Sequence, residues 1–209
     1  MSYLESGGRR GNMSQLPVKY QPKRVAKSEI AAYAGKVEYL TEEEYSALLN
    51  AASGHPEHIL LMRLLWETGL RISEALGLRF YDIYPDQINL VGKGRKQRVI
   101  PCQAAILGEL LRFQQAKEYE RAERVFQSIR TEPGALRMLR RYAKKIGLGK
   151  RIYPHLFRHS FAINVMRQTG NPFALQDLLG HANMEMVKVY MRLAQDGPRE
   201  AINKMHFPE

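Results

Sequence analysis

The sequence predicts a mainly α-helical protein with one small antiparallel β-sheet. Apolar residues recur at helical spacing through most of residues 41–193. In one stretch the pattern changes to that of strands, where Ile88 and Leu90 precede, and Val99 and Ile100 follow, a basic tip that contains two glycines. With 209 residues, 44% of them hydrophobic, the chain can bury one sizeable core.

The first helix begins at a clear capping signal. Thr41 precedes three glutamates, and Glu44 lies three positions after it, which is the spacing of a capping box. Ordered structure is expected to begin here. The periodicity predicts helices over residues 41–52, 57–69, 71–78, 103–114, 133–147, 156–169, 172–180 and 183–193, a hairpin within 87–100, and a last short helix over 198–205.

The charge of the chain points to a polyanionic partner. Lys and Arg number 32 against 21 Asp and Glu, which leaves a formal net charge of +11 at pH 7. Nucleic acid is the natural partner of such a surface. The sequence has no apolar run of the ~18 residues that a membrane span needs and no secretory signal. We therefore expect a cytoplasmic protein that associates with DNA and not with a membrane.

The N-terminal segment, residues 1–36, carries seven basic and two acidic residues, with scattered glycine and proline and without a sustained apolar period. This composition predicts a basic, mostly flexible arm. For residues 1–12 an inert leader is an equal alternative, because Ser6, Gly7 and Gly8 look like a linker and Met13 is a possible second start.

Two arginines lie at helical spacing from a polar partner. His155 and Arg158 are three residues apart at a predicted helix start, where free backbone amides favour an anion such as phosphate. Arg71 lies among apolar residues after a glycine, and Glu74, again three residues on, can hold its guanidinium for a ligand oxygen. Taken alone, each pair is also explained by an ordinary surface position on a helix.

The predicted hairpin carries a concentration of positive charge. Such a tip can reach into a DNA groove or toward a scissile bond, although a soluble charged hairpin is an equal alternative. It does not match the phosphate-binding P-loop pattern. The basic residues are Lys93, Arg95, Lys96 and Arg98.

A second basic concentration lies on the predicted helix 133–147 and just after it. Its spacing suits contacts with successive phosphates, and a solvated helix face is the alternative. The residues are Arg137, Arg140, Arg141, Lys144, Lys145, Lys150 and Arg151, with Glu132 as the nearby acid.

Metal and redox chemistry have little support in the sequence. Cys102 is the single cysteine, which allows no internal disulfide or thiolate metal site and fits a reducing compartment. The four aspartates are scattered, and His55 and His58 would need ligands from elsewhere to hold a metal. We therefore expect no metal and no cofactor.

Several of these features occur in a family-like order along the chain. Tyr190, one of 11 tyrosines, would by itself be read as a packing residue. The ordered set, however, resembles the tyrosine recombinase (phage integrase) family over about residues 38–193. It consists of Arg71 in TGLRISE, Lys93 in GKGRKQR, His155 and Arg158 in HLFRH, His181 in LLGH, and Tyr190 nine residues later.

The resemblance implies the tyrosine recombinase catalytic-domain fold and an enzyme that cuts and rejoins duplex DNA at specific sites. A 3′-phosphotyrosine intermediate would make metal and ATP unnecessary. The implied roles are Tyr190 as nucleophile, Arg71 and Arg158 on the non-bridging phosphate oxygens, Lys93 as general acid for the 5′-oxygen, His155 as the group that assists tyrosine deprotonation, His181 as a hydrogen-bond donor, and Glu74 as support for Arg71.

Beyond the arm (1–36), the resemblance implies a catalytic domain (37–193) and a tail (194–209). The tail is a candidate helix for exchange between protomers of a tetramer on synapsed DNA. Two features depart from the family. Residues 186–188 lack the threonine that members often carry before the nucleophile, and the usual N-terminal helical clamp domain is missing. The chain therefore resembles either short stand-alone members, such as fimbrial DNA invertases, or a catalytic fragment.

Two other functions remain as alternatives. One is a DNA-binding accessory or regulatory protein that keeps the fold without turnover, which would not need a nucleophile and a general acid together. The other is a relaxing enzyme similar to type IB topoisomerases, which would act without dependence on a specific sequence or on synapsis.

Overall fold

The computed structural model describes residues 37–91, 97–180 and 183–194. Several sequence-based expectations fall outside these ranges. They concern the N-terminal arm, the hairpin tip with Lys93, Arg95 and Lys96, His181, and the tail from residue 195.

The described residues form a mainly helical fold with a two-stranded antiparallel sheet, as the sequence predicts. Within these ranges, no helix is long and apolar enough to cross a membrane. The elements are α1 (Glu42–Ala51), α2 (Pro56–Thr68), α3 (Ile72–Gly77), a 3₁₀ turn (Phe80–Asp82), β1 (Gln87–Val91), β2 (Gln97–Pro101), α4 (Ala104–Lys117), α5 (Glu132–Lys145), α6 (Pro154–Thr169), α7 (Pro172–Leu178) and α8 (Met184–Ala194).

Most boundaries agree with the predicted ones to within two residues, and two differences have a physical cause. Helix α4 continues to Lys117 and ends where Glu118 adopts a left-handed conformation with φ of 54°, a stop that no glycine announces. Helix α7 ends at Leu178 rather than at residue 180, because Gly180, with φ of 68°, already belongs to the turn that follows.

The capping box at the start of α1 is confirmed. The Thr41 hydroxyl accepts a hydrogen bond from the Glu44 backbone N–H at 3.2 Å, and the Glu44 carboxylate accepts one from the Thr41 N–H at 2.8 Å. The preceding Leu40 N–H donates to the buried hydroxyl of Ser160 at 2.8 Å. The residues just before α1 are thereby tied to helix α6.

The sheet follows the alternation read from the sequence. Ile88 on β1 faces Ile100 on β2, and both are buried, whereas Val99 is exposed. One face of the two strands thus joins the core.

Helix α6 connects two apolar cores. Its first half, with Leu156 and Phe157, packs into the larger core, which is built from the chain segments before it. Its second half, from Phe161, packs with α7 and α8 into a smaller core that includes Tyr190. Because α6 lies against α2 on one side and α8 on another, the residues between its two halves lie where the cores meet.

Candidate active site

Arg158 lies at this junction on α6. Its side chain is buried, and its guanidinium donates to the Gly69 carbonyl at 2.6 Å and to the Leu179 carbonyl at 2.7 Å. Gly69 ends α2 two residues before Arg71, and Leu179 follows α7 two residues before position 181. One guanidinium therefore holds three separate segments of the chain together, and it still carries further N–H groups for a ligand.

Arg71 lies at the start of α3 with its guanidinium half-exposed. It donates to Glu74 at 2.8 Å, and the same carboxylate accepts the Arg71 backbone N–H at 2.8 Å. Glu74 therefore caps α3 and fixes the arginine side chain at once. This is the arrangement expected of a guanidinium held ready for a ligand oxygen.

Arg98 on β2 approaches the same carboxylate from the other side. Its guanidinium bonds Glu74 at 3.2 Å and also donates to the Leu178 carbonyl, so it connects the sheet to α3 and to the end of α7. The sequence places Arg98 among the DNA-contacting residues of the hairpin. In the structure this side chain is directed inward, unlike an ordinary surface contact.

The site is strongly electropositive. Burial, followed by the positive charges of Arg71 and Arg98, lowers the pKa of the Arg158 guanidinium to about 10. The group still carries its charge at neutral pH. Three cationic groups near one carboxylate favour an anion, and a phosphate fits this requirement.

Tyr190 lies on α8 and is buried, with 4% of its surface exposed. Its hydroxyl lies 2.8 Å from Nδ1 of His159. Tyr190 also contributes to the electrostatic environment of Arg158. The predicted nucleophile and the buried arginine therefore belong to the same site.

His159 is the residue that the sequence analysis missed. It belongs to the HLFRH motif and lies four residues after His155, and therefore on the same face of a helix. Burial, with the positive charges of His155 and Arg158, lowers the pKa of His159 to about 4. The imidazole is therefore neutral at neutral pH.

The other predicted residues are placed as follows. His155 is exposed in the first turn of α6, which begins with Pro154 as expected. Lys93 and His181 lie outside the described residues. The structure therefore brings Arg71, Glu74, Arg158 and Tyr190 to one region.

The predicted basic helix is present as α5, and it is amphipathic. Helix α5 buries an apolar stripe against the larger core. Its opposite side and the following turn expose positive charge, and the Lys145 ammonium in addition donates to the Ala51 carbonyl at 2.9 Å. The exposed residues are Arg137, Arg140, Arg141, Lys144, Lys145 and Arg151.

No metal ligand cluster occurs in the part of the chain that the structure describes. His55 and His58, the histidine pair considered for this role, have stacked rings 5.0 Å apart. Nδ1 of His58 lies 2.7 Å from the Tyr142 hydroxyl, so this nitrogen has a protein partner.

Comparisons with known proteins find relatives that match most of the chain. A tyrosine recombinase from Pseudothermotoga lettingae is 31% identical over 173 residues, which are 80% of this chain and 60% of that protein. The chain therefore spans about three-fifths of the length of this curated relative.

Solved structures share the fold. The crystal structure of XerA recombinase matches with a TM-score of 0.69 and 28% identity, covering 81% of this chain and 66% of that one. XerH site-specific recombinase, solved with a palindromic difH substrate, matches with a TM-score of 0.67 and 22% identity, covering 80% of this chain and 53% of that one. The model of the phage integrase family matches residues 38–196, which are most of the chain, and the chain belongs to that family.

Proposed function

We propose that this chain carries the catalytic domain of a site-specific recombinase that breaks and rejoins duplex DNA through a 3′-phosphotyrosine intermediate. One observation carries the proposal. The Arg158 guanidinium bonds the backbone just before Arg71 and just before His181, while the next residue of the same helix contacts Tyr190. Segments of the TGLRISE and LLGH motifs thus meet at one buried cation of the HLFRH motif, one residue before the histidine that contacts Tyr190.

In the proposed reaction, the Tyr190 hydroxyl oxygen attacks a backbone phosphorus and the bond from phosphorus to the 5′-oxygen breaks. The protein is left joined to a 3′-phosphate, and the DNA keeps a free 5′-hydroxyl, which reverses the step when strands rejoin. Because the covalent bond retains the energy of the phosphodiester, ATP is not needed.

Arg71 and Arg158 stabilise the charge that grows on the non-bridging oxygens in the transition state. Their preorganisation by Glu74 and by two backbone carbonyls supports this role, because donors that are already oriented need little rearrangement during the reaction. Two guanidinium groups thereby do the work that a metal ion does in other phosphoryl-transfer enzymes.

The family resemblance assigns the remaining roles. Lys93 on the hairpin protonates the departing 5′-oxygen, His155 assists deprotonation of Tyr190, and His181 donates to the phosphate. The exposed basic side of α5, together with Arg95 and Lys96, binds neighbouring phosphates.

Duplex DNA with specific sites is the proposed partner. The XerH recombinase, which shares this fold, was solved with a DNA substrate, and this supports the choice. We further propose that the catalytic domains act as a tetramer on paired sites, with the basic arm (1–36) on DNA and the tail (194–209) docked on a neighbouring protomer.

The test is trapping of the covalent complex on duplexes that are nicked next to a randomised sequence, so that the released fragment diffuses away. Tyr190→Phe should bind DNA as wild type does and form no adduct on a denaturing gel. Tyr81→Phe, at a tyrosine that is about half exposed, is the matched control and should form adduct normally.

Each other outcome has a clear meaning. An undiminished adduct with Tyr190→Phe would overturn the assignment of the nucleophile. DNA binding by the wild type without any adduct would favour the accessory protein, and relaxation of DNA without sequence preference would favour the topoisomerase-like enzyme.

A further inference from the structure

The contact between His159 and Tyr190 joins two helices that meet in the smaller core. Nδ1 of His159 and the Tyr190 hydroxyl are 2.8 Å apart, the distance of a normal hydrogen bond. The imidazole also meets the Tyr190 ring at a centroid distance of 5.8 Å and the Tyr153 ring edge-on at 6.4 Å. Contacts with two tyrosine rings restrict the orientation of the imidazole.

Burial makes this contact important. Tyr190 has 4% of its surface exposed, so bulk water cannot fully solvate its hydroxyl, and a buried phenol needs protein partners. Helices α6 and α8 pack against each other in the smaller core, which restricts how the two side chains can move relative to each other.

The ionisation states decide what the imidazole can do. Burial and nearby positive charges lower the pKa of His159 to about 4. The imidazole is therefore a weak base that is neutral in the resting protein at neutral pH. What it can offer is one acceptor nitrogen at a fixed place.

We propose that Nδ1 of His159 accepts a hydrogen bond from the Tyr190 hydroxyl and thereby positions its oxygen for attack on phosphate. This inference rests on the proposed role of Tyr190 as nucleophile. When the hydroxyl donates to the imidazole, the hydrogen bond does not occupy a lone pair of the attacking oxygen. In the opposite tautomer, the Nδ1–H group would donate to the Tyr190 oxygen and occupy one of its lone pairs. His159 is thus a positioning residue, separate from the role assigned to His155.

The test compares two substitutions under single-turnover conditions at saturating nicked DNA, with the Kd measured separately. His159→Leu removes the acceptor and should slow cleavage by about 10- to 100-fold at an unchanged Kd, the scale of a small misplacement of a reacting group. His159→Asn places an amide oxygen close to the position of Nδ1 and should restore most of the rate.

The chain offers a matched control. His58 makes the same type of contact, from Nδ1 to the Tyr142 hydroxyl at 2.7 Å, within another part of the fold. His58→Leu should therefore disturb packing to a similar extent and leave the cleavage rate at saturating DNA unchanged.

The outcomes separate this inference from the proposed function. If Tyr190→Phe forms no adduct but His159→Leu cleaves at the wild-type rate, the positioning role is wrong and the recombinase proposal stands. If Tyr190→Phe still forms adduct, both fail. Should His159→Leu not fold, ¹⁵N NMR of wild-type protein decides: an unprotonated Nδ1 is expected, and a protonated Nδ1 would overturn the inference.

Discussion

Glu74 and Arg98 form an ion pair at 3.2 Å that joins the start of helix α3 to strand β2. Because the same carboxylate binds Arg71 at 2.8 Å, the position of the proposed phosphate-binding arginine depends on the sheet. Arg98 also donates to the Leu178 carbonyl and packs against Gly180, where a Cβ atom would lie 2.7 Å from its guanidinium Nε. The sheet, α3 and the turn before His181 therefore share one brace.

Replacing Arg98 should lower both the stability of the fold and the rate of DNA cleavage. Arg98→Met leaves the Leu178 carbonyl without this donor and relaxes Glu74, so we expect a loss of about 1–3 kcal/mol in the free energy of unfolding and slower cleavage at saturating DNA. Denaturant unfolding and single-turnover cleavage measure the two effects. Arg121→Met, at an exposed arginine, is the control and should change neither. If Arg98→Met cleaves DNA at the wild-type rate, Arg98 does not support the position of Arg71 through Glu74.

Gly69 should tolerate no side chain. Its φ of 62° is left-handed, and a Cβ atom there would overlap the ring of Phe161. We expect Gly69→Ala to lower the free energy of unfolding by about 1–2 kcal/mol for the backbone and by about 1–3 kcal/mol more for overpacking. Gly77→Ala, where the Cβ would enter open space, should be close to neutral. Equal stability of the two variants would show that Gly69 is not constrained in this way.

The low pKa of His159 predicts a pH-dependent stability. The imidazole has an ordinary pKa of 6.5, and burial with the charges of His155 and Arg158 lowers it to about 4 in the folded state. Between these values the unfolded chain binds more protons, so this group favours unfolding increasingly as pH falls from about 6.5 to 4 and has no such effect above that window. Denaturant unfolding across this range should give a shallower dependence for His159→Asn than for wild type. Parallel curves would contradict the shift.

Much of the fold could be predicted from the sequence because local rules determine it. The capping box at Thr41, the alternation around Ile88 and Ile100, and the proline that begins α6 all depend on residues close in the chain. The end of α4 could not be predicted, because Glu118 takes a left-handed conformation without a glycine.

The sequence predicted which described residues meet at the site, Arg71, Glu74, Arg158 and Tyr190, but not all of their contacts. The order of Arg71, Arg158 and Tyr190 identifies the family, but the inward turn of Arg98 and the pairing of His159 with Tyr190 depend on how distant helices pack. Helical spacing from His155 was the available signal for His159, since residues four apart share a face. This spacing could not indicate that His159 contacts Tyr190 on another helix.

The exposed side of α5 should determine part of the salt dependence of DNA binding. Arg140 and Lys144 lie one turn apart on this side. Replacing both with Gln should reduce the slope of log K against log salt concentration by up to about two, because each lost phosphate contact removes about 0.9. Arg112→Gln with Lys117→Gln makes the same charge change on the exposed side of α4 and should leave the slope unchanged. If both double variants reduce the slope equally, the salt dependence reflects the net charge of the protein and not phosphate contacts of α5.

The identity of the residue joined to DNA tests the central claim most directly. Wild-type protein is trapped on nicked duplex, digested with protease and nuclease, and the remaining nucleotide is located by tandem mass spectrometry. We expect a 3′-linked nucleotide on Tyr190 and on none of the other tyrosines among the 11 in the chain. A nucleotide attached to any other residue, or through its 5′-phosphate, would contradict the proposed mechanism.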